Sequence, residues 1–498
     1  MAISTAIDAS AVARVLGIKT IYEDLRGANV VLLPQRVALV GQGATASTYS
    51  TTKAQVTSAQ EVATNYGFGS PLHLAALQLL PANGDGIGTI PLTVYPLVDD
   101  GSGVVSAGDI TPSGAVTKAG SFIVRINNID SASFVVSVGD AVATIITNIA
   151  TAVAAELNLP MLGVDNTTVF DLTSKWAGTS ANDLFIEVVG PTDTGVSFAI
   201  TQPVGGLVNP DIDAALAQVG GVWETVILNC LDIADTATLD KYQVFGDGRW
   251  GAIVKKPLGV FTGNTATTVS AATAVSDTRK PDRTNGQLVA PGSKDLPFVV
   301  AARELAPIVV LANNNPAHDY GSQPATGLTP GTDGEQWTYT QRDAAVKAGS
   351  STIEVKDGVI NVSDTVTFYH PTGDPNPAFR FFVDIVKLQN IIFNFDLRFA
   401  TDEWDGAPLI PDDQYTTNRS AKKPRTAVTV ANTVIDALAA EALISDPKTA
   451  KANTIAEIDG ANPKRLNLSV TIQLVGNSNI ISMDLNFGFF FGQSTLAA

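Results

Sequence analysis

The stretch 29-NVVLLPQRVALVGQG-43 decides how the fold is read. Val37, Ala38, Leu39 and Val40 form an unbroken apolar run ending in glycine, the pattern of a strand buried on both faces. In 58-SAQEVATNYGFGSPLHLAALQLLPANG-84, Ser58 with Glu61 three residues on predicts a capped helix closed by a capping box. After a Gly-rich break, Ser70–Pro71 predicts a second helix start. The segment 87-IGTIPLTVYPLV-98 reads as the next strand, so strand, helices and strand make an α/β unit.

Outward from that unit the texture changes twice. From Asp99 the chain is small, polar and turn-rich, a boundary signal. Residues 121–128 and 132–139 then predict a hairpin. The segment 140-DAVATIITNIATAVAAELNLP-160 predicts an amphipathic helix with Ala143, Ile146, Ala150 and Val153 on its apolar face. Strands return at 168–189 and 196–206, so residues 100–205 read as an inserted β-rich domain. The α/β texture resumes at 211-DIDAALAQVGGVWETVILNCLD-232 and runs on through residues 296–314. The last third, from about residue 331, predicts a short helix, two strands about a Lys-Asp-Gly turn, long helices over 379–399 and 426–445, and two strands joined by Gly476-Asn477-Ser478-Asn479. The expected organisation is an arm (1–28), a discontinuous middle α/β domain (29–99 and 206–330), the insert (100–205), a C-terminal α/β domain (331–479) and a terminal strand (480–498).

Length and composition bound the function. The chain has 498 residues, enough for about three domains. Its formal charge is −17, which repels nucleic acid and anionic lipid and argues against a DNA-binding role. Copies packed together must bring Lys and Arg against acidic patches. Cys230 ends an apolar run and reads as a buried structural thiol. The N-terminal residues lack a signal-peptide pattern, and no apolar run reaches the length of a membrane span, so the expectation is a soluble protein made in the cytoplasm.

Candidate chemistry is sparse. Gly41-Gln42-Gly43-Ala44-Thr45-Ala46 fits the relaxed G-x-G-x-x-A pattern after a strand, where glycines admit a pyrophosphate to backbone N–H groups. The next residues, STYSTTKAQ, are poor helix formers, and the first convincing helix begins too late to serve that loop. His73, His318 and His370 have no metal spacing, and no cofactor or metal is expected. Asn83-Gly84-Asp85-Gly86 resembles a fragment of a calcium loop without its closing Glu and reads as a turn. Asp402, Glu403, Asp405, Asp412 and Asp413 cluster between prolines and read as a solvated acidic loop.

The end of the chain is different. Leu466, Leu468, Val470, Ile472 and Leu474 alternate with polar residues, and Met483, Leu485, Phe487, Phe489 and Phe491 repeat the alternation near the C-terminus. An aromatic strand left open is an aggregation hazard in a monomer. Upstream, 340-TQRDAAVKAGSSTIEVKDGVINVSDTVTFYH-370 is similar to the segment opening the inner domain of bacteriophage contractile-tail sheath proteins. There an R-D-x-x-V-x-x-G helix leads to a strand, a D-G turn and a second strand. The matching residues here are Arg342, Asp343, Val346 and Gly349, then Asp357-Gly358, then Thr367, Phe368 and Tyr369; Phe368 departs from the pattern. RVALVGQG resembles the first core strand of that family, residues 66–97 its helix–strand continuation, and KWAGTSANDLFIEV the insert of Mu-like sheaths. The resemblance covers most of 29–498.

The resemblance implies an α+β, α/β multidomain subunit with an inner C-terminal domain, a middle domain, an outer insert and extended terminal arms. It implies a virion protein, assembled in the host cytoplasm, with no active site. Its partners would be further copies in stacked hexameric rings, the tail tube, the baseplate and the terminator or neck proteins. Arms would add strands to neighbours: Ile18, Ile21 and Tyr22 at one end, Met483, Leu485, Phe487, Phe489 and Phe491 at the other, with Leu466–Leu474 as acceptor. The competing arrangement is a hairpin closed on Leu466–Leu474 within one chain. Lys422, Lys423, Arg425, Lys448, Lys451, Lys464 and Arg465 cluster in an acidic chain and are candidates for contact with an acidic tube. Two readings from other classes stand beside this one: a nucleotide-binding α/β enzyme using Gly41–Ala46, and a tail-fibre type virion protein.

Overall fold

The structure is a computed structural model, and it describes residues 30–374, 377–480 and 482–485. Two compact units result, one of Leu32–Leu397 with the described residues from Leu474 on, the other containing Arg398–Gln473.

The Val37–Val40 run sits at the centre of the large unit. It belongs to β1 (Val37–Gln42), buried at every residue. β2 (Ala54–Val56), α1 (Ala59–Tyr66), α2 (Pro71–Leu79) and β3 (Leu92–Leu97) follow. Ser58 caps α1, its Oγ accepting from the Glu61 N–H at 3.2 Å. Glu61 does not close the expected box on Ser58: its carboxylate accepts instead from the N–H of Thr57 at 2.9 Å. Ser70 caps α2, which has Pro71 in its first turn.

The insert opens with β4 (Val105–Ser113) and continues through β5 (Gly120–Ile126), β6 (Ile129–Asp130), β7 (Phe134–Val136), α3 (Val142–Ala155), β8 (Met161–Asp165), β9 (Phe170–Ala177), β10 (Ile186–Val189) and β11 (Ser197–Val204). Its strands form two sheets, one ordered β11-β4-β9-β8, the other β10-β5-β6 with β7 also on β5. The buried face of α3 is Ile145, Ile146, Ile149, Ala152 and Val153. The expected face differs at Ala143 and Ala150, which are only half-buried. The three isoleucines carry the larger apolar surface and turn the helix to bury it.

The chain returns through α4 (Asp213–Val219), β12 (Val226–Asn229), α5 (Thr236–Arg249), β13 (Gly259–Asn264), α6 (Val269–Thr273), β14 (Asn285–Val289) and α7 (Pro297–Asn314). These strands complete a six-stranded sheet ordered β14-β13-β12-β1-β3-β2, parallel except for β2. Val37 stands opposite Val226 on one side and Leu92 on the other. One hydrophobic cluster runs from this sheet and α7 into the insert, joining Leu39, Val94 and Leu305 to Ile110, Phe122 and Trp176. Trp176 meets Phe298 edge to face at 6.0 Å. The Lys175 ammonium donates to the carbonyls of Phe68 (3.0 Å) and Leu157 (2.9 Å), and Asn127 donates to the Lys294 carbonyl (2.9 Å). The insert is therefore packed into the sheet domain rather than tethered to it.

α8 (Tyr339–Lys347), β15 (Thr352–Lys356), β16 (Val359–Asp364) and α9 (Phe382–Phe399) come next. Asp357 (φ 51°) and Gly358 (φ 78°) both take the left-handed conformation that a two-residue hairpin of this kind requires. α9 buries Phe382, Val383, Ile385, Val386 and Lys387, with Phe382 against Phe261 at 4.9 Å.

The small unit holds α10 (Pro424–Ala440), β17 (Ile444–Ser445), α11 (Pro447–Ala452), β18 (Ile455–Ile458) and β19 (Leu466–Ser469); β20 (Gln473–Leu474) follows. β18 and β19 pair antiparallel, Ile455 opposite Ser469 and Ile458 opposite Leu466. The continuous strand expected over 466–474 is interrupted at 470–472. Its alternation persists: Leu466, Leu468, Val470, Ile472 and Leu474 are half-buried while Ser469, Thr471 and Gln473 are exposed. β19 stops where its four-residue partner stops, since a strand without a ladder has nothing to hold its backbone groups.

Candidate assembly surface

The terminal segment is seated by a buried lysine. Lys387 lies on the apolar face of α9 and is fully buried. Its ammonium donates to Asp384 Oδ1 (3.0 Å), the Val475 carbonyl (2.7 Å) and Asn477 Oδ1 (2.6 Å). Three acceptors match its three N–H donors, which is what a buried ammonium demands. Asn477 in turn donates to the Ala317 carbonyl at 2.8 Å. Sequence reading missed this clamp, although a lysine inside the run FVDIVKLQNII was its signal.

Asn479 still hydrogen-bonds the Asp319 side chain, and past it the described side chains stand in solvent. Ile480, Met483 and Leu485 are 75%, 80% and 73% exposed. Residues 482–485 form no strand, so over that span no hairpin closes on Leu466–Leu474. Phe487, Phe489 and Phe491, like Ile18, Ile21 and Tyr22, lie outside the described residues. In the small unit, β18 and β19 pair only with each other among the described residues, so each has an outer edge with no strand beside it. Such edges are templates for strand addition.

The basic residues divide into two sets. Lys422 is 6% exposed, pairs with Glu403 and lies over the Trp404 ring at 5.3 Å. That ion pair holds the Glu403 carboxyl below its usual range. Lys423 donates to the carbonyls of Asp412 (3.3 Å) and Gln414 (2.5 Å), and the Arg425 N–H donates to Asp412 Oδ1 at 3.0 Å. Lys451 pairs with Asp436 at 2.6 Å and Arg465 approaches Asp459 at 3.9 Å. Lys448 and Lys464 are exposed and meet no carboxylate among the described residues. The acidic loop 402–413 thus serves partly as the internal counter-charge of the lysine cluster, and its carboxylates are exposed rather than buried as a catalytic pair.

The Gly41–Ala46 loop is filled by protein. The Gln42 amide donates to Asp99 Oδ1 (2.5 Å) and the Ala177 carbonyl (2.7 Å), and the Gly43 N–H donates to the Tyr49 hydroxyl (3.1 Å). A side chain at Gly41 would strike Cys230 at 2.9 Å. Tyr49 is half-buried, and that burial, with the Asp99 charge adding to it, pushes its phenol pKa up to about 12. The first helix after the loop begins only at Ala59. His73 is buried in α2 and accepts from the Gly69 N–H at 3.0 Å; burial, and then the nearby Lys175 charge, lower its pKa to about 4. Asp85 of the calcium-like fragment pairs with Arg303. Among the described residues no three His, Cys, Asp or Glu side chains gather as a metal site, and no helix is long and apolar enough to cross a membrane. Cys230 is buried, which raises its thiol pKa well above the usual range.

No family model matches the chain. It is 22% identical over 415 residues to the Mu-like prophage FluMu tail sheath protein of Haemophilus influenzae, covering 80% of this chain and 82% of that one. Among solved structures it is similar to the sheath tail protein of Listeria innocua, at 14% identity and a TM-score of 0.46, covering 89% of this chain and 92% of that one. It is also similar to the sheath tail protein of Desulfitobacterium hafniense, at 13% identity and a TM-score of 0.44, covering 92% and 100%. The resemblance to contractile-tail sheath proteins read from the motifs is borne out along most of the chain.

Proposed function

We propose that this chain is the structural subunit of a contractile tail sheath, stacking as hexameric rings around a tail tube and shortening to drive that tube through a host envelope. The observation that carries the reading is the match to a tail sheath protein over 80% of the chain. Two features of the assembly surface support it. The terminal segment is held as far as Asn479, and Met483 and Leu485 beyond it are exposed. The β18–β19 ribbon offers unpaired edges. In this reading the strand around Phe487, Phe489 and Phe491 adds to the ribbon of a neighbouring copy, and Ile18, Ile21 and Tyr22 make the equivalent link from the N-terminal arm.

The large unit acts as a nearly rigid body, because insert and sheet domain share one core. Contraction is then a change between two packings of such bodies, with the arms keeping the mesh connected. The tube contact falls to Lys448 and Lys464 first, since Lys422, Lys423, Arg425, Lys451 and Arg465 already face acceptors in their own unit. The insert faces outward, and baseplate and terminator proteins bind the two ends.

The test is to express the full chain and a version ending at Asn479 and to image both by negative-stain electron microscopy. Tubes or rings from the full chain, lost on truncation, are expected. Monomers from both would sink the strand-donating sheath.

A further inference from the structure

The parallel sheet of the large unit has two ends, and each carries exposed apolar side chains. At the carboxyl ends of the strands, the segments entering and leaving the insert run side by side. Val104 and Leu207 form an antiparallel bridge with backbone hydrogen bonds of 2.9 and 3.1 Å. Val104, Val204, Leu207 and Val208 are 44%, 65%, 55% and 44% exposed. Val208 holds φ at 60°, a left-handed conformation that a β-branched residue keeps only under constraint. The constraint is local. Asn209 accepts from the Thr179 N–H at 2.8 Å and donates to Asp235 at 2.9 Å, and Asn182 holds both backbone groups of Gly206, at 2.8 and 2.9 Å. Its rim is acidic. Asp100 and Asp211 are near enough to feel each other's charge. Lys241 already answers Asp211 at 2.6 Å and Asp213 at 3.0 Å, so Asp100 is the carboxylate there that meets no cation among the described residues. A side chain at Gly103 would meet the carbonyls of Asp100 and Val208.

At the amino ends of the same strands, the loop from α5 to β13 projects. Ile253 at its tip is 94% exposed and Val254 is 40% exposed. Lys255 and Lys256 follow. Lys255 pairs with Asp396, while Lys256 rests on the Gly221 carbonyl, which leaves its charge without a counter-charge there. A single exposed isoleucine means little. An apolar tip with a basic base and an apolar strap with an acidic rim, at opposite ends of one sheet, mean more. A chain of net charge −17 must build its self-contacts where a cation meets a carboxylate.

We infer that these two surfaces are the halves of one heterologous contact between copies of this chain. Ile253 and Val254 of one copy seat on the strap of Val104, Val204, Leu207 and Val208 of the next, with Lys256 facing Asp100. Six-residue strands separate the two surfaces by about 20 Å, so one copy does not join them within itself. The contact repeats head to tail and generates a ring or helix rather than a closed dimer. This inference rests on the polymer reading and adds a contact that the terminal arms do not make.

Engineered cysteines test it, because the native Cys230 is buried. The double variant Ile253→Cys with Leu207→Cys, mildly oxidised, is expected to give a ladder of covalent oligomers, and each single variant is not. Ile253→Asp is expected to raise the concentration needed for assembly at least tenfold with an unchanged melting temperature. Polymers that form normally while the double variant gives no ladder would overturn the contact and leave the sheath reading intact. Single variants that crosslink as readily as the double would make the contact isologous and overturn it as well. A wild-type chain that never polymerises removes the sheath reading and this contact together.

Discussion

The large and the small unit solve the problem of strand edges in opposite ways. In the large unit β1, β3, β12, β13 and β14 are buried at every residue, and the insert covers apolar surface that the sheet domain leaves at its rim. In the small unit β18 and β19 make a two-stranded ribbon whose residues are at best half-buried. A two-stranded ribbon is marginal alone and gains from a third strand. The large unit buries its central strands within one chain, while the small unit leaves a ribbon that the proposed assembly would complete.

The largest effect falls on the union of insert and sheet. Trp176 is fully buried, donates from its indole N–H to Ser180 at 3.0 Å and packs on Phe298. Trp176→Ala should cost about 4 kcal/mol, the usual loss for a large aromatic in a packed core. Chemical denaturation should still show insert and sheet domain unfolding in one transition. Two separate transitions within the large unit would mean that insert and sheet fold independently, and the rigid-body account of contraction would fall.

Next comes the clamp. Lys387→Ala leaves Asp384, the Val475 carbonyl and Asn477 without their shared donor, and should cost about 3 kcal/mol. It should also make the chain beyond Leu474 open to protease at concentrations where the wild type resists. Unchanged proteolysis would show that the terminal segment does not depend on this seat.

The large unit and its chemistry were readable because their signals are local. The Val37–Val40 run, the Ser58 and Ser70 caps and the Asp357–Gly358 turn depend on neighbours in sequence, and each forms where the sequence places it. What was not readable depends on partners far along the chain. The clamp joins Lys387 to Asn477, and the lysine cluster was read as a candidate tube contact although Lys422 answers Glu403 from within its own unit. The face of α3 turned because three isoleucines outweigh two alanines, a matter of area that spacing alone does not weigh.

Two buried titratable groups give the large unit opposite pH slopes. His73 has a native pKa of about 4 against an ordinary 6.5, so its neutral form stabilises the fold above pH 6.5 and that stability drains as pH falls toward 4. The loss is on the order of 2–3 kcal/mol, and His73→Gln, which keeps an acceptor for Gly69, should remove the slope. Glu304 is fully buried, and that burial lifts its pKa well above 4.5. The native state therefore keeps a proton that the unfolded chain loses, and stability declines as pH rises above 4.5. Glu304→Gln should gain on the wild type across that rise. Parallel slopes for wild type and both variants in urea titrations would contradict this.

The smallest effect is the most informative about the small unit. Lys448→Glu and Lys464→Glu alter exposed side chains and should change its stability by less than about 0.5 kcal/mol. Lys422→Glu, with its ammonium buried against Glu403 and Trp404, should cost about 2 kcal/mol in the same measurement. If tube binding in the extended state falls with the first pair and not in proportion to stability, the free lysines face the tube. If it follows stability across all three variants, the charges matter only to the unit's own fold, and the tube contact lies elsewhere.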